Sequence, residues 1–142
     1  MMGARVLQFA TLAAAVACAP GRPDPIAYDA DDCAYCHMQI SDERFGAALV
    51  TKKGRTIKFD GIDCLIDYYK KAAAANDVAS VWVSDYRHPG TLLNADSARF
   101  IDLGEGRAPM GRRGLAAVAT ARDAAALGVI DISVIERWAD LR

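Results

Sequence analysis

Two thiols, an imidazole and a thioether fall within six residues of this 142-residue chain, in the run Cys33-Ala-Tyr-Cys36-His37-Met38. Thiolate and thioether sulfurs are soft donors, and in proteins soft donors select Cu(I). Zinc sites are rarely built with a methionine beside a cysteine in a loop. Met110 raises the same question, because it stands in a polar loop, Arg107-Ala-Pro-Met-Gly-Arg-Arg113, where a methionine is poorly used as core filler. Its other reading is as the cap of a local hydrophobic cluster. The whole chain holds four cysteines and two histidines, so few residues compete for a metal or catalytic role.

Four further readings fit the same residues. Cys33-Ala-Tyr-Cys36-His37 satisfies the c-type haem attachment pattern, with Met110 available as an axial ligand; against it, small haem domains are mostly helical, and the neighbouring segments read as strands. Cys-x-x-Cys is also the redox pair of thioredoxin-like proteins, but there it follows a strand and opens a helix, and here it follows a proline-rich stretch. Cys33, Cys36 and Cys64 with His37 or His88 would make a structural zinc site that leaves Met38 and Met110 unused. A disulfide stapling an exported domain is the plainest option. Cys64, off the main apolar stripe of its helix, reads as a buried, inert thiol. No general base stands beside a nucleophile, and no phosphate loop or carboxylate pair occurs, so the chain does not read as an enzyme.

Export is written into the first residues. Residues 1–17, MMGARVLQFATLAAAVA, carry Arg5 and then an apolar stretch from Val6 to Ala17, too short for the roughly 20 residues of a spanning helix and suited to a secretory signal. Ala17-Cys18 followed by Ala-Pro-Gly-Arg-Pro-Asp-Pro has the form of a bacterial lipoprotein signal, with Cys18 as the lipidated residue. Ala15 stands where that pattern usually has Leu, and ordinary cleavage near Ala17 or Ala19 is the alternative. Acyl chains on Cys18 would anchor the protein to a membrane without a spanning helix. The expected location is the periplasm, with the outer membrane favoured over the inner. Residues 18–32 then form a flexible tether, with Pro20, Pro23 and Pro25. Besides Cys18 three cysteines remain, Cys33, Cys36 and Cys64, so either Cys33 pairs with Cys36 and Cys64 stays free, or the thiols remain reduced for metal.

Positioning those groups falls to a mixed set of elements. Phe45 to Thr51 reads as a strand, Lys52-Lys53-Gly54 as a turn, and Arg55 to Phe59 as its hairpin partner. Asp60, with Asp63 three residues on, is placed to cap a helix. Ile62, Leu65, Ile66, Tyr69 and Ala73 make its apolar stripe, and it runs to about Ala75. Val78 to Ser84 is short and β-branched, a buried strand. Leu92 to Leu103 holds a short strand or helix, Gly104 to Gly111 a loop, Leu115 to Ala119 a strand, Ala121 to Leu127 a short helix, and Ile132 to Leu141 a terminal helix. The class is α+β: a strand–strand–helix–strand unit and a second, degenerate one, over about residues 33–86 and 87–142. With 17 basic against 18 acidic side chains and no Lys/Arg run, the chain offers nothing to nucleic acid. A 53% hydrophobic composition without low-complexity segments excludes disorder.

The run Cys33 to Gly46 (CAYCHMQISDERFG), then Lys53-Gly54, Phe59-Asp60 and Cys64, then Ser84-Asp85-Tyr86, then Pro109-Met110-Gly111, resembles the NosL family of nitrous oxide reductase accessory proteins. The resemblance runs from about residue 30 to 141. It implies two small ββαβ units and a periplasmic, lipid-anchored Cu(I) chaperone serving nitrous oxide reductase, monomeric or weakly dimeric. Carried over residue by residue, it assigns Cys36 and Met110 as the principal ligands, with Met38 and Cys33 beside them. His37 departs from the Gly or Lys common at its position and adds a nitrogen donor. His88 is a further candidate, on a loop where a histidine is usually just solvated.

Overall fold

The computed structural model describes residues 21–71, 77–111, 113–128 and 136–142. Alternating apolar residues build the first hairpin: β1 (Ala47–Thr51) pairs antiparallel with β2 (Thr56–Phe59), Ala47 opposite Phe59 and Val50 opposite Thr56. Its turn needs Gly54 at φ 82°, in the left-handed region where a side chain is strained. Helix α1 (Ile62–Lys71) buries Ile62, Leu65 and Ile66 as its periodicity requires. The expected continuation toward Ala75 lies outside the described residues. Asp60, just before α1, is buried; its carboxyl accepts the Ser41 N–H, and its Oδ1 has no hydrogen-bond partner among the described residues.

β3 (Val78–Ser84) pairs antiparallel with β1, and β4 (Leu92–Asn94) with β3, giving a four-stranded sheet in the order β2-β1-β3-β4. The stretch Leu92 to Leu103 is therefore two strands parted by a turn. β4 extends the first sheet, while β5 (Arg99–Asp102) pairs with β6 (Leu115–Val118) in a separate two-stranded ribbon. β4 thus belongs to the sheet of the first half, and α2 (Ala121–Ala126), which Thr120 caps through Asp123, follows the ribbon. The terminal helix is also shorter than its pattern. Glu136 exchanges both backbone hydrogen bonds with Phe100 on the edge of β5 (2.9 and 3.0 Å), so α3 begins only at Trp138 and ends at Leu141. A free strand edge has captured the backbone that the 3.6 period assigned to a helix. Residues 132–135 of that expectation lie outside the described set. Among the described residues no helix is long and apolar enough to cross a membrane.

Side chains alternate across a strand, so the four-stranded sheet has two distinct faces. Ala47, Leu49, Ile57, Phe59, Val81 and Val83 meet Ile62, Leu65 and Ile66 of α1 in one buried cluster, closed by Trp138 and Leu141. Tyr69 of α1 meets the Trp138 ring edge-on at 5.5 Å. The other face carries Ala48, Val50, Thr56, Ser80, Trp82 and Ser84, and residues 21–28 cover it. The Gly21 carbonyl accepts from Trp82 Nε1 (2.9 Å) and from the Ser80 hydroxyl, Asp24 N–H donates to Thr56 Oγ1 (2.9 Å), and Tyr28 Oη lies 3.0 Å from Ser84 Oγ. From Gly21 onward the expected tether is therefore docked on the sheet. Its prolines suit an extended strap as well as a free linker, and only the polar side chains of β2 and β3 decide between them.

This docking makes one glycine indispensable. A Cβ at Gly46 would stand 2.6 Å from Tyr28 Oη and 3.1 Å from Ile26 Cδ1. Gly46→Ala should lower stability by about 1–3 kcal/mol, the usual cost of overpacking, read as a lower Tm. Tyr28→Phe in the same chain should restore part of the loss, since it removes the clashing oxygen.

Candidate metal centre

Residues 32–39 close into a tight loop. Asp32 and Gln39 form an antiparallel bridge, Cys33 N–H donates to the Met38 carbonyl (2.8 Å), and His37 N–H donates to the Cys33 carbonyl (3.0 Å). His37 takes φ 61° to make the reversal. Ala34 N–H donates to the Lys58 carbonyl (2.9 Å), which fixes the loop to β2, and the Lys58–Asp31 ion pair (2.6 Å) holds the strand before it. These bonds drive Cys33 into the main core, where it is buried, and leave Cys36 half-buried.

Cys64 comes to the same place from the first turn of α1. The Sγ atoms of Cys33, Cys36 and Cys64 all lie within 4.8 Å of one another, and all three are free thiols. A metal bound by three sulfurs at about 2.3 Å requires sulfur–sulfur separations of about 3.8–4.0 Å. Small side-chain rotations reach that. Cys64 is buried as expected, and the packing of α1 on the sheet carries its sulfur 31 positions back to the loop, beside Cys33 and Cys36.

The site's electrostatics follow from its hydrogen bonds. The Cys64 thiol donates to Cys33, and the N–H groups of Cys36, Asp60 and Tyr35 point at the same sulfur; together they outweigh burial and pull the Cys33 thiol down to about 4. Cys64 is pushed far up because it holds the proton of that bond, with burial and the charge on Cys33 adding to it. Burial, then the neighbouring Cys33, raises Cys36. Burial and the charge on Cys33 also raise the Asp60 carboxyl toward its neutral form. Free of metal, these contacts favour a single thiolate in the cluster, best stabilised at Cys33, over ionisation of all three sulfurs.

The other candidates are placed differently. Among the described residues, Met38 and Met110 are the exposed large hydrophobic side chains, 52% and 46% accessible. Met110 sits at φ 67° in a single 3₁₀ turn, Pro109–Gly111, on the loop from β5 to β6. At that exposure Met110 is no core filler, and it is not among the residues packed against either buried cluster. Neither histidine belongs to the three-sulfur cluster. His37 is exposed, and His88 is an exposed imidazole whose Nδ1 lies 2.8 Å from Oδ2 of the buried Asp85.

The geometry also separates the competing chemistries. The two cysteines of the haem-attachment pattern share their place with a third, Cys33 being 1% exposed and its sulfur close to that of Cys64. A thioredoxin-type pair opens a helix, whereas this pair lies in a loop closed on itself.

The fold is similar to that of the crystal structure of the copper chaperone NosL from Shewanella denitrificans, with a TM-score of 0.68 at 20% identity over 86% of this chain and 96% of that one. A search of curated protein sequences finds no significant match. The family model of NosL, however, matches residues 25–128, which span the second half of the docked strap, the three-sulfur loop, both sheets and the Met110 turn. The chain belongs to the NosL family.

Proposed function

We propose that this chain is an exported copper chaperone that binds one Cu(I) and delivers it to nitrous oxide reductase for assembly of a copper centre. The convergence of three cysteine sulfurs, half-exposed at Cys36, is the observation that carries the reading. Soft anionic donors at this spacing suit Cu(I). Family membership and the likeness in fold to a copper chaperone support it. In this reading Cys33, Cys36 and Cys64 hold the ion, and the exposed Met38, Met110 and His37 supply the weaker, exchangeable donors through which it enters and leaves. A low-coordinate site suits transfer better than a closed four-ligand cage. Lipidation of Cys18 places the chaperone on a membrane facing the periplasm, and it acts as a carrier rather than an enzyme.

The three-sulfur cluster also favours a second reading, a zinc site in which all three cysteines matter and the methionines do not. The test is transfer. Chain loaded with one Cu(I) and mixed with copper-free nitrous oxide reductase should lose its metal to the enzyme, followed by copper analysis of the separated proteins. Chain that prefers Zn(II), or that keeps its copper while the reductase takes it from a small-molecule complex, would overturn the proposal.

A further inference from the structure

Resting on the anchor proposed above, we infer that the sheet face under residues 21–28 lies against an anionic bilayer, with the basic turn of the β1–β2 hairpin touching the headgroups and the sulfur cluster directed away. Three observations converge on it. Gly21 is pinned at a defined point, its carbonyl bonded to Trp82 and Ser80. Cys18 is three peptide units upstream, so the lipidated residue lies within about 11 Å of that point, the reach of an extended chain.

The surface at that point is basic. Gly21 shares one depression with Lys52, Gly54, Ser80 and Trp82. Lys53 and Arg55 continue it, and Arg22 follows in the strap, all three exposed. Asp77 is the carboxylate that shares the depression of Lys53 and Arg55, and Asp31 and Asp32 line the far side of Arg55, so the basic character is confined to the turn from Lys52 to Arg55. Juxtamembrane cations each add about 1 kcal/mol of attraction to an anionic leaflet, and Trp82 offers the half-buried indole favoured at a membrane interface.

The sheet itself then sets the direction of the metal centre. Ser80 and Trp82 point to the strap side, whereas Val81 and Val83 point to the side of α1, Cys64 and Cys33. A membrane on the first face leaves the second open to the protein that receives the metal.

The experiment uses the mature chain, its acyl mass on Cys18 confirmed by mass spectrometry, in phosphatidylcholine vesicles with and without phosphatidylglycerol. Amine acylation read by peptide mass spectrometry should be about fivefold slower at Lys53 when phosphatidylglycerol is present, the effect of roughly one headgroup contact. It should be unchanged at Lys70 on α1, and high salt should abolish the difference. Equal labelling of Lys53 and Lys70 on anionic vesicles, or protection at Lys70 instead, would overturn the orientation while leaving the anchor standing. A chain that carries no acyl mass, or whose Cys18→Ala variant stays with membranes, would remove the anchor and the orientation with it. Copper transfer in solution is read separately and is unaffected by either outcome.

Discussion

Cys36→Ser should lower the affinity for Cu(I) by three orders of magnitude or more, about 4 kcal/mol. Serine matches the size of cysteine but stays protonated at neutral pH and offers a hard oxygen, a poor ligand for Cu(I). Cys36 is the half-exposed member of the cluster and the sulfur through which metal must arrive. Its loop is held by backbone hydrogen bonds at Cys33, Ala34 and His37, none of which uses the Cys36 side chain. Tm should therefore stay within a few degrees of the parent. Competition against a chromophoric Cu(I) chelator measures the affinity. Met110→Leu, close in volume and apolar, should weaken binding by a smaller factor with the fold intact. An affinity for Cu(I) unmoved by Met110→Leu, together with strong effects at all three cysteines, would be the ranking of a zinc site.

The second large effect is a change in pH dependence at Cys64. Free of metal, the cluster holds Cys33 as thiolate, with its thiol near 4, and keeps Cys36 and Cys64 protonated. Binding by all three sulfurs must expel the two remaining protons, because the ligand is the thiolate. Apparent affinity should then rise with pH by about a hundredfold per unit around neutrality, and fall correspondingly on acidification. In Cys64→Ser the hydroxyl still donates to the Cys33 thiolate but gives up no proton to the metal. The dependence should drop to about tenfold per unit, and affinity at neutral pH should fall by about ten- to a hundredfold, or ~1.4–2.8 kcal/mol. If Cys64 is structural only, parent and variant will follow the same slope. Titrations of both proteins from slightly acid to slightly alkaline pH decide it.

Much of the architecture was legible because its causes are local. The hairpin over Ala47 to Phe59, the apolar stripe of α1 and the β-branched run of β3 each follow from periodicity within a few residues, and the structure has them where the pattern puts them. The Cys33 to Met38 cluster was visible for the same reason, since its donors are six neighbours in sequence. Met110 announced itself by standing alone in a polar loop. Family likeness was legible too, because four short motifs keep their order over most of the chain, and the family match spans nearly the same residues.

What the sequence left open is whatever depends on groups far apart in the chain. Cys64 joins Cys33 only because α1 packs its Ile62, Leu65 and Ile66 against β1 and β2, which turns the first helical turn toward the loop; no spacing rule links residues 31 positions apart. β4 adds to β3 rather than to its sequence neighbour β5, and Glu136 leaves a helical pattern to close the edge of β5. In both cases an open strand edge offers backbone hydrogen bonds that side-chain periodicity does not record. The strap over residues 21–28 had the composition of a linker, and it is docked because Thr56, Ser80, Trp82 and Ser84 present polar atoms along one face of the sheet. The sequence by itself determined which donors the protein owns and the local elements that carry them. The tertiary structure alone decided which of those donors share a site, because that choice is made by packing between elements and not by distance along the chain.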